Sequence, residues 1–259
     1  MDSGKSTLTG NIMKELKQID EQELVRNKQE AKENHMEAWE LAFIADVDPA
    51  ERKRGKTVEC SKMMLNLPYR RYTIFDAPGH KGYVPNMMMG ACQADIAVLI
   101  ISAKDGEYES GFEKEGQTKE HAMLATALGV QKMVAVVTKM NTVEWSQERF
   151  NLIKTQVSPF LENSCGFSGV QFIPIDSLTN VNIHTRQTGG WYQGPCLIEV
   201  LETVEIPKRE SDGPLRIPVV DKFKDVGNFY LYGKIESGKI AYENQVVSLL
   251  PRRVHFTIR

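Results

Sequence analysis

Residues able to do chemistry appear at the very start of this 259-residue chain, in Asp2-Ser3-Gly4-Lys5-Ser6-Thr7. A glycine ahead of a lysine and a hydroxyl residue lets backbone N–H groups turn inward and cradle phosphate oxygens. The lysine can then meet β- and γ-phosphates, and the hydroxyl can sit on Mg²⁺. A helix opening here adds the partial positive charge of its N-terminus. Lys5 and Ser6 take those two roles, with Asp2, Ser3, Gly4 and Thr7 completing the loop. The full pattern, Gly-x-x-x-x-Gly-Lys-Ser/Thr, would put its first glycine before Met1, together with the strand that feeds the loop. Taken alone, Gly-Lys-Ser is a common triplet, so its reading depends on the motifs further along the chain.

The strongest of these is Asp76-Ala77-Pro78-Gly79-His80, at the end of an apolar run over residues 71–75. An Asp there can hold a water bound to Mg²⁺. Gly79 can offer its N–H to a γ-phosphate without a Cβ in the way. His80 stands where a side chain could orient an attacking water; the plain alternative is a surface imidazole. Upstream, Glu51-Arg52-Lys53-Arg54-Gly55-Lys56-Thr57 reads either as a basic surface loop or as a segment ordered by a triphosphate and released after hydrolysis. In the second case Thr57 supplies a further hydroxyl. The metal set is then Ser6, Thr57 and, through water, Asp76.

These groups need a frame. Residues 71–75, 96–102, 133–138 and 171–175 are apolar and β-branched and read as strands. Segments 5–19, 117–128, 147–161 and part of 191–204 read as helices between them. Strands alternating with helices predict an α/β, doubly wound, mostly parallel sheet. Ligands of such sheets bind at the carboxyl ends of the strands, where the motifs fall. Residues 20–37 are charge-rich and read as a solvated helix. Around residues 207–218, Asp212-Gly213-Pro214 marks a turn, and short Gly-punctuated strands at 216–220, 228–235 and 245–249 suggest the start of a β-barrel. The division is a first domain over 1–206 and the truncated start of a second over 207–259.

Composition excludes several classes. With 41% hydrophobic residues and a net charge of −2, the chain has no bulk charge for coating nucleic acid, and no DNA partner is expected. Its four cysteines form no Cys-x-x-Cys pair, which argues against a metal cluster or redox motif. The most apolar stretch, 96–103, is too short to span a bilayer. No membrane partner is expected, and a cytoplasmic location is.

Together the motifs resemble the translational GTPases of the elongation-factor 1-alpha superfamily. Asp76-Ala77-Pro78-Gly79-His80-Lys81 and Gly116-Gln117-Thr118-Lys119-Glu120-His121-Ala122 carry the likeness. Gly55-Lys56-Thr57-Val58-Glu59, Gly111-Phe112-Glu113-Lys114 and His121-Ala122-Met123-Leu124-Ala125 resemble the class-II release-factor GTPases within it. The resemblance covers essentially the whole chain. It implies GTP and GDP as ligands, Mg²⁺ as cofactor, and ribosome-triggered hydrolysis with His80 positioning the water. It also implies work with a class-I release factor in translation termination, through regions missing from this chain. A ribosome-rescue GTPase, or a nucleotide-binding scaffold without turnover, are the other readings.

One region departs from the family, which reads guanine with Asn-Lys-x-Asp. Here the strand leads into Thr138-Lys139-Met140-Asn141. An Asp accepts from guanine N1–H and N2–H₂, whereas Asn141 has one acceptor and brings a donor. Losing the charged bidentate contact costs on the order of 1.5–3 kcal/mol, roughly 10- to 150-fold in affinity. The family's Ser-Gly-Leu loop stands as Asp176-Ser177-Leu178, whose carboxylate either opposes guanine O6 or points to solvent. Asn141 could donate to adenine N1 while Asp176 accepts from N6–H₂, or Asn141 could donate to the 2-oxo group of xanthine. The other reading is a GTP site that tolerates the changes, with Lys139 and the phosphate contacts carrying affinity.

Overall fold

The structure, a computed structural model, describes residues 3–46, 48, 51–52, 57–113, 116–208, 210–225, 228–240, 245–252 and 254–257. The chain divides into two compact units, Met1–Ile206 and Pro207–Arg259. In the first, helices α1 (Lys5–Glu15), α2 (Glu21–Glu33) and α3 (Ala42–Ala45) precede an antiparallel hairpin of β1 (Ser61–Asn66) and β2 (Arg71–Asp76). Then come α4 (Val84–Ala91), β3 (Ile96–Ser102), α5 (Glu107–Phe112), α6 (Gln117–Ala127), β4 (Lys132–Thr138), α7 (Gln147–Asn163), β5 (Gln171–Pro174) and α8 (Leu197–Thr203).

Strands β3, β4 and β5 form a parallel sheet in that order. Strand β4 is its centre and is buried over six of its seven residues, as the unbroken apolar run predicts for a strand covered on both faces. Its side chains alternate between two cores. Val134 and Val136 join Leu8 and Ile12 of α1 and Leu197 and Leu201 of α8. Met133, Ala135 and Val137 join Ala122 of α6 and Ile153 and Val157 of α7. Helices on both faces follow from that alternation, and each large aliphatic side chain so buried contributes roughly 1.5–3 kcal/mol. The register sets Ser102 beside Thr138, so the loops after β3 and β4 leave the sheet at the same end. Strands β2 and β3 are not paired with each other; a groove of about 310 Å³ lined by Tyr72, Ile74, Val98 and Ile100 lies between them.

One helix ends earlier than the sequence reading. Helix α1 stops at Glu15 rather than 19 because Lys17 adopts a left-handed conformation (φ +53°). The N–H of Gln18 then reaches back to the Met13 carbonyl (3.0 Å), closing the end as a glycine usually does. Helix α8 occupies the last part of 191–204, as expected, with Cys196 at its N-cap, while Trp191 and Tyr192 make ring contacts with Phe150. Segment 20–37 holds α2, with Asp20 accepting from the Gln22 N–H (3.1 Å) as its cap.

In the second unit, β6 (Val219–Asp225) pairs antiparallel with β7 (Asn228–Gly233), and β8 (Val246–Leu249) with β9 (Val254–Thr257). No closed barrel forms among the described residues. The strand expected at 216–220 begins at Val219, because Arg216 pairs elsewhere: its N–H donates to the Ser237 carbonyl (3.0 Å) and its carbonyl accepts from the Glu236 N–H (2.9 Å).

Candidate functional site

A cavity of about 290 Å³ lies among the loops that follow these strands. It is lined by residues far apart in sequence: Gly4 to Thr7, Thr57, Gly79 and His80, Thr138, Lys139 and Asn141, and Asp176 to Leu178. Ser3 and Asp76 do not line it: Ser3 is joined to Thr138 by a hydrogen bond, and Asp76 is buried and borders the groove between β2 and β3. Asp2 and residues 53–56 lie outside the described residues.

At one end, Gly4 caps α1 in a left-handed conformation (φ +84°), which only glycine adopts without cost. At Gly79 a Cβ would come 2.4 Å from Lys5 Nζ, so a larger residue there would push the lysine ammonium aside. Ser6 Oγ lies 3.0 Å from Thr57 Oγ1, which in turn donates to Asp46 Oδ1 (2.8 Å). Asp76 is 4% exposed and its Oδ2 has no partner among the described residues. Burial raises its pKa, with the Ser6 hydroxyl and the Lys5 charge opposing. Burial also pushes Asp46 up to about 6, the Thr57 hydrogen bond opposing and the charges of Asp76 and Glu51 adding to the rise. Two carboxylates so destabilised as anions, with two hydroxyls beside them, make a place that a divalent cation would relieve.

Thr57 is fixed by residues that spacing alone did not single out. Glu51 Oε1 accepts from the N–H groups of Val58 (2.7 Å) and Glu59 (2.8 Å). Arg52 donates to the carbonyls of Asp46 and Phe43, both at 2.7 Å. Gln117 is a second such residue. With its amide oriented to satisfy both neighbours, Nε2 donates to the Gly79 carbonyl (2.7 Å) and Oε1 accepts from the Lys81 N–H (3.1 Å). The amide therefore brackets His80. The His80 ring accepts at Nδ1 from the Gly82 N–H (3.0 Å), so a neutral ring carries its proton on Nε2.

At the other end, the Thr138 hydroxyl lies 2.8 Å from the Ser3 carbonyl and 3.3 Å from the Ile101 carbonyl, tying β4 to the phosphate loop and to β3. Lys139, left-handed at φ +59°, places Nζ 2.8 Å from Glu107 Oε2. Burial alone would raise the Glu107 pKa, but hydrogen bonds from Lys139 and Ser102, with the Lys139 charge and Lys104, outweigh it and hold the carboxyl down to about 2. Asp176 turns onto its own loop: Oδ1 accepts from the Leu178 N–H (3.1 Å) and Oδ2 from the Thr179 hydroxyl (2.5 Å). The Ser177 hydroxyl is buried with no partner among the described residues. Asn141 is exposed at the cavity.

A phosphate-loop helix, two strand-end loops and a glycine packed on a lysine, around one cavity in an α/β sheet, are the parts of a nucleotide-binding domain. Residues 1–212 match the elongation factor Tu GTP binding domain. The chain belongs to that family. Among the family's curated members, it is 41% identical over 255 residues to the eukaryotic peptide chain release factor GTP-binding subunit of Schizosaccharomyces pombe, covering 95% of this chain and 38% of that protein. The Dictyostelium discoideum protein of the same name is 42% identical over 259 residues, 97% of this chain and 46% of that one. The chain thus spans less than half the length of these relatives. Of solved structures, sup35 complexed with GDP shares 33% identity, with a TM-score of 0.59 over 98% of this chain and 54% of that one. The Ski7 GTPase-like domain of S. cerevisiae, bound to GDP and inorganic phosphate, has a TM-score of 0.78 at 18% identity, over 98% of this chain and 60% of that one, a likeness of fold.

Proposed function

We propose that this chain is the nucleotide-binding part of a cytoplasmic GTPase that acts on the ribosome in translation termination, beside a class-I release factor. The observation that carries the reading is the single cavity that gathers the phosphate loop, Thr57, Gly79, His80 and the two base-side loops. Family membership and the names of the similar proteins support the setting. In described residues no helix is long and apolar enough to cross a membrane.

The residues fit GTP and GDP with Mg²⁺. Lys5 and the α1 N-terminus, with Ser3 to Thr7 and Asp2, would take the phosphates. The hydroxyls of Ser6 and Thr57, and Asp76 through water, would hold Mg²⁺, which when bound supplies positive charge to the phosphate oxygens. Asp76 Oδ2, buried and without a hydrogen-bond partner among the described residues, fits that role. Hydrolysis in such enzymes is mostly positioning and electrostatics. His80, with Nδ1 occupied by the Gly82 N–H, would orient the attacking water by donating from Nε2 rather than by removing its proton. Gln117 is a positioning residue that holds the loop from Gly79 to Lys81 in place.

A scaffold that binds nucleotide without turnover is the second reading; Thr138 and Asn141 favour it, and intact Lys5, Asp76, Gly79 and His80 oppose it. Single-turnover GTP hydrolysis by the full-length protein on stop-codon ribosomes separates the two. Ribosome-dependent release of phosphate is expected, and binding without it would leave the scaffold.

A further inference from the structure

Most hydrogen-bonding groups at the base end of the cavity are already committed. Thr138 donates to Ser3, Lys139 is held by Glu107, and each Asp176 oxygen accepts from its own loop. Two groups stand apart. Among the described residues, the buried Ser177 hydroxyl has no hydrogen-bond partner, and the Asn141 side chain lines the cavity without a hydrogen bond. A hydroxyl both donates and accepts, so Ser177 discriminates little. An amide presents one acceptor beside one donor, so Asn141 decides.

Resting on the proposed nucleotide-binding function, we infer that Asn141 abolishes discrimination for guanine, so that xanthine and hypoxanthine nucleotides bind at least as tightly as guanine nucleotides. Guanine offers two adjacent donors, N1–H and the 2-amino group. The Asn141 amide can accept from one and sets its own N–H against the other. Xanthine offers N1–H beside a 2-oxo acceptor, which matches the amide at both atoms. Hypoxanthine offers N1–H and nothing at position 2 to oppose the amide. Adenine is disfavoured because its N1 carries no proton for the Asn141 carbonyl, and Asp176, at 2% exposed, is buried on its own loop with Leu178 and Thr179 rather than presented to a 6-amino group. A polar site discriminates against a base whose donor is left facing another donor. The phosphate end is untouched by this change, so GTP remains a substrate while losing its advantage.

The test is an equilibrium competition on the full-length protein with Mg²⁺, using GDP, XDP, IDP and ADP, for the wild type and Asn141→Asp. The substitution is isosteric at an exposed position. The wild type should bind XDP and IDP at least as tightly as GDP and all three more tightly than ADP. Asn141→Asp should shift the ratio toward GDP by roughly tenfold or more. A wild-type preference for GDP of about tenfold over XDP and IDP, an order unmoved by Asn141→Asp, or a preference for ADP would each overturn the inference while leaving a nucleotide site. Failure of all four to bind would overturn the proposed function as well.

Discussion

At the phosphate end of the cavity, Lys5, Ser6, Gly79 and His80 are the residue types the proposed chemistry calls for, and a buried Asp76 oxygen has no partner among the described residues. At the base end, Thr138, Asn141, Asp176 and Ser177 depart from the pattern the resemblance leads one to expect, and Thr138, Lys139 and Asp176 are turned to holding loops together. Phosphates are read by charge and by a backbone curve that only glycine permits, so substitution there is costly. A base is read by a few side-chain donors and acceptors, and those can drift while Thr138 and Lys139 keep their structural ties. On the proposed function, nucleotide binding and base recognition are separable on one scaffold.

The comparison is broken most sharply at His80. His80→Ala should lower ribosome-stimulated hydrolysis about 10²- to 10³-fold, the cost of losing one well-placed donor, and leave GDP affinity unchanged in equilibrium titration. An equal loss in binding would mean His80 is structural. Gln117→Ala should lower the same single-turnover rate roughly tenfold, since a displaced catalytic group loses rate through misorientation; a Gln117→Glu variant, which keeps the acceptor for the Lys81 N–H, should recover part of it. At the base end the expected effects are smaller. Glu107→Gln should weaken GDP binding by about fivefold or less, through a loosened Lys139.

Glu107 also gives a pH signature. Its carboxyl lies near 2 in the folded chain against 4.5 ordinarily. A depressed pKa contributes stability that is full above about pH 4.5 and is lost as pH falls from there toward about 2. Urea unfolding of wild type and Glu107→Gln should therefore differ at about pH 7, the difference should shrink below about pH 4.5, and the two should converge only as pH falls to about 2; a constant difference would place the effect outside the Lys139 contact.

Strands β3 and β4 were legible because each is one unbroken apolar run, and the chemistry at their ends followed from motif spacing. Helix α5 was not, being six residues with Gly111 inside and no apolar period. The end of α1 escaped because a lysine takes the left-handed position where a glycine is expected. In the site, Lys5, Asp76 and His80 were legible from local pattern. Gln117, Glu107 and Asp46 were not, since each acts on a distant stretch: 117 on 79 and 81, 107 on 139, and 46 on 57. The inward turn of Asp176 was equally hidden, because sequence leaves its carboxylate free to face a base or its own loop.

The most direct test of the separation between the two ends is GDP affinity with Mg²⁺, measured side by side for Lys5→Ala and Asn141→Ala in the full-length protein. Loss of the Lys5 ammonium should cost roughly 100-fold, and loss of the Asn141 amide less than about fivefold. Comparable losses, or a larger one at Asn141, would contradict the account and show that the altered base loop still holds the nucleotide.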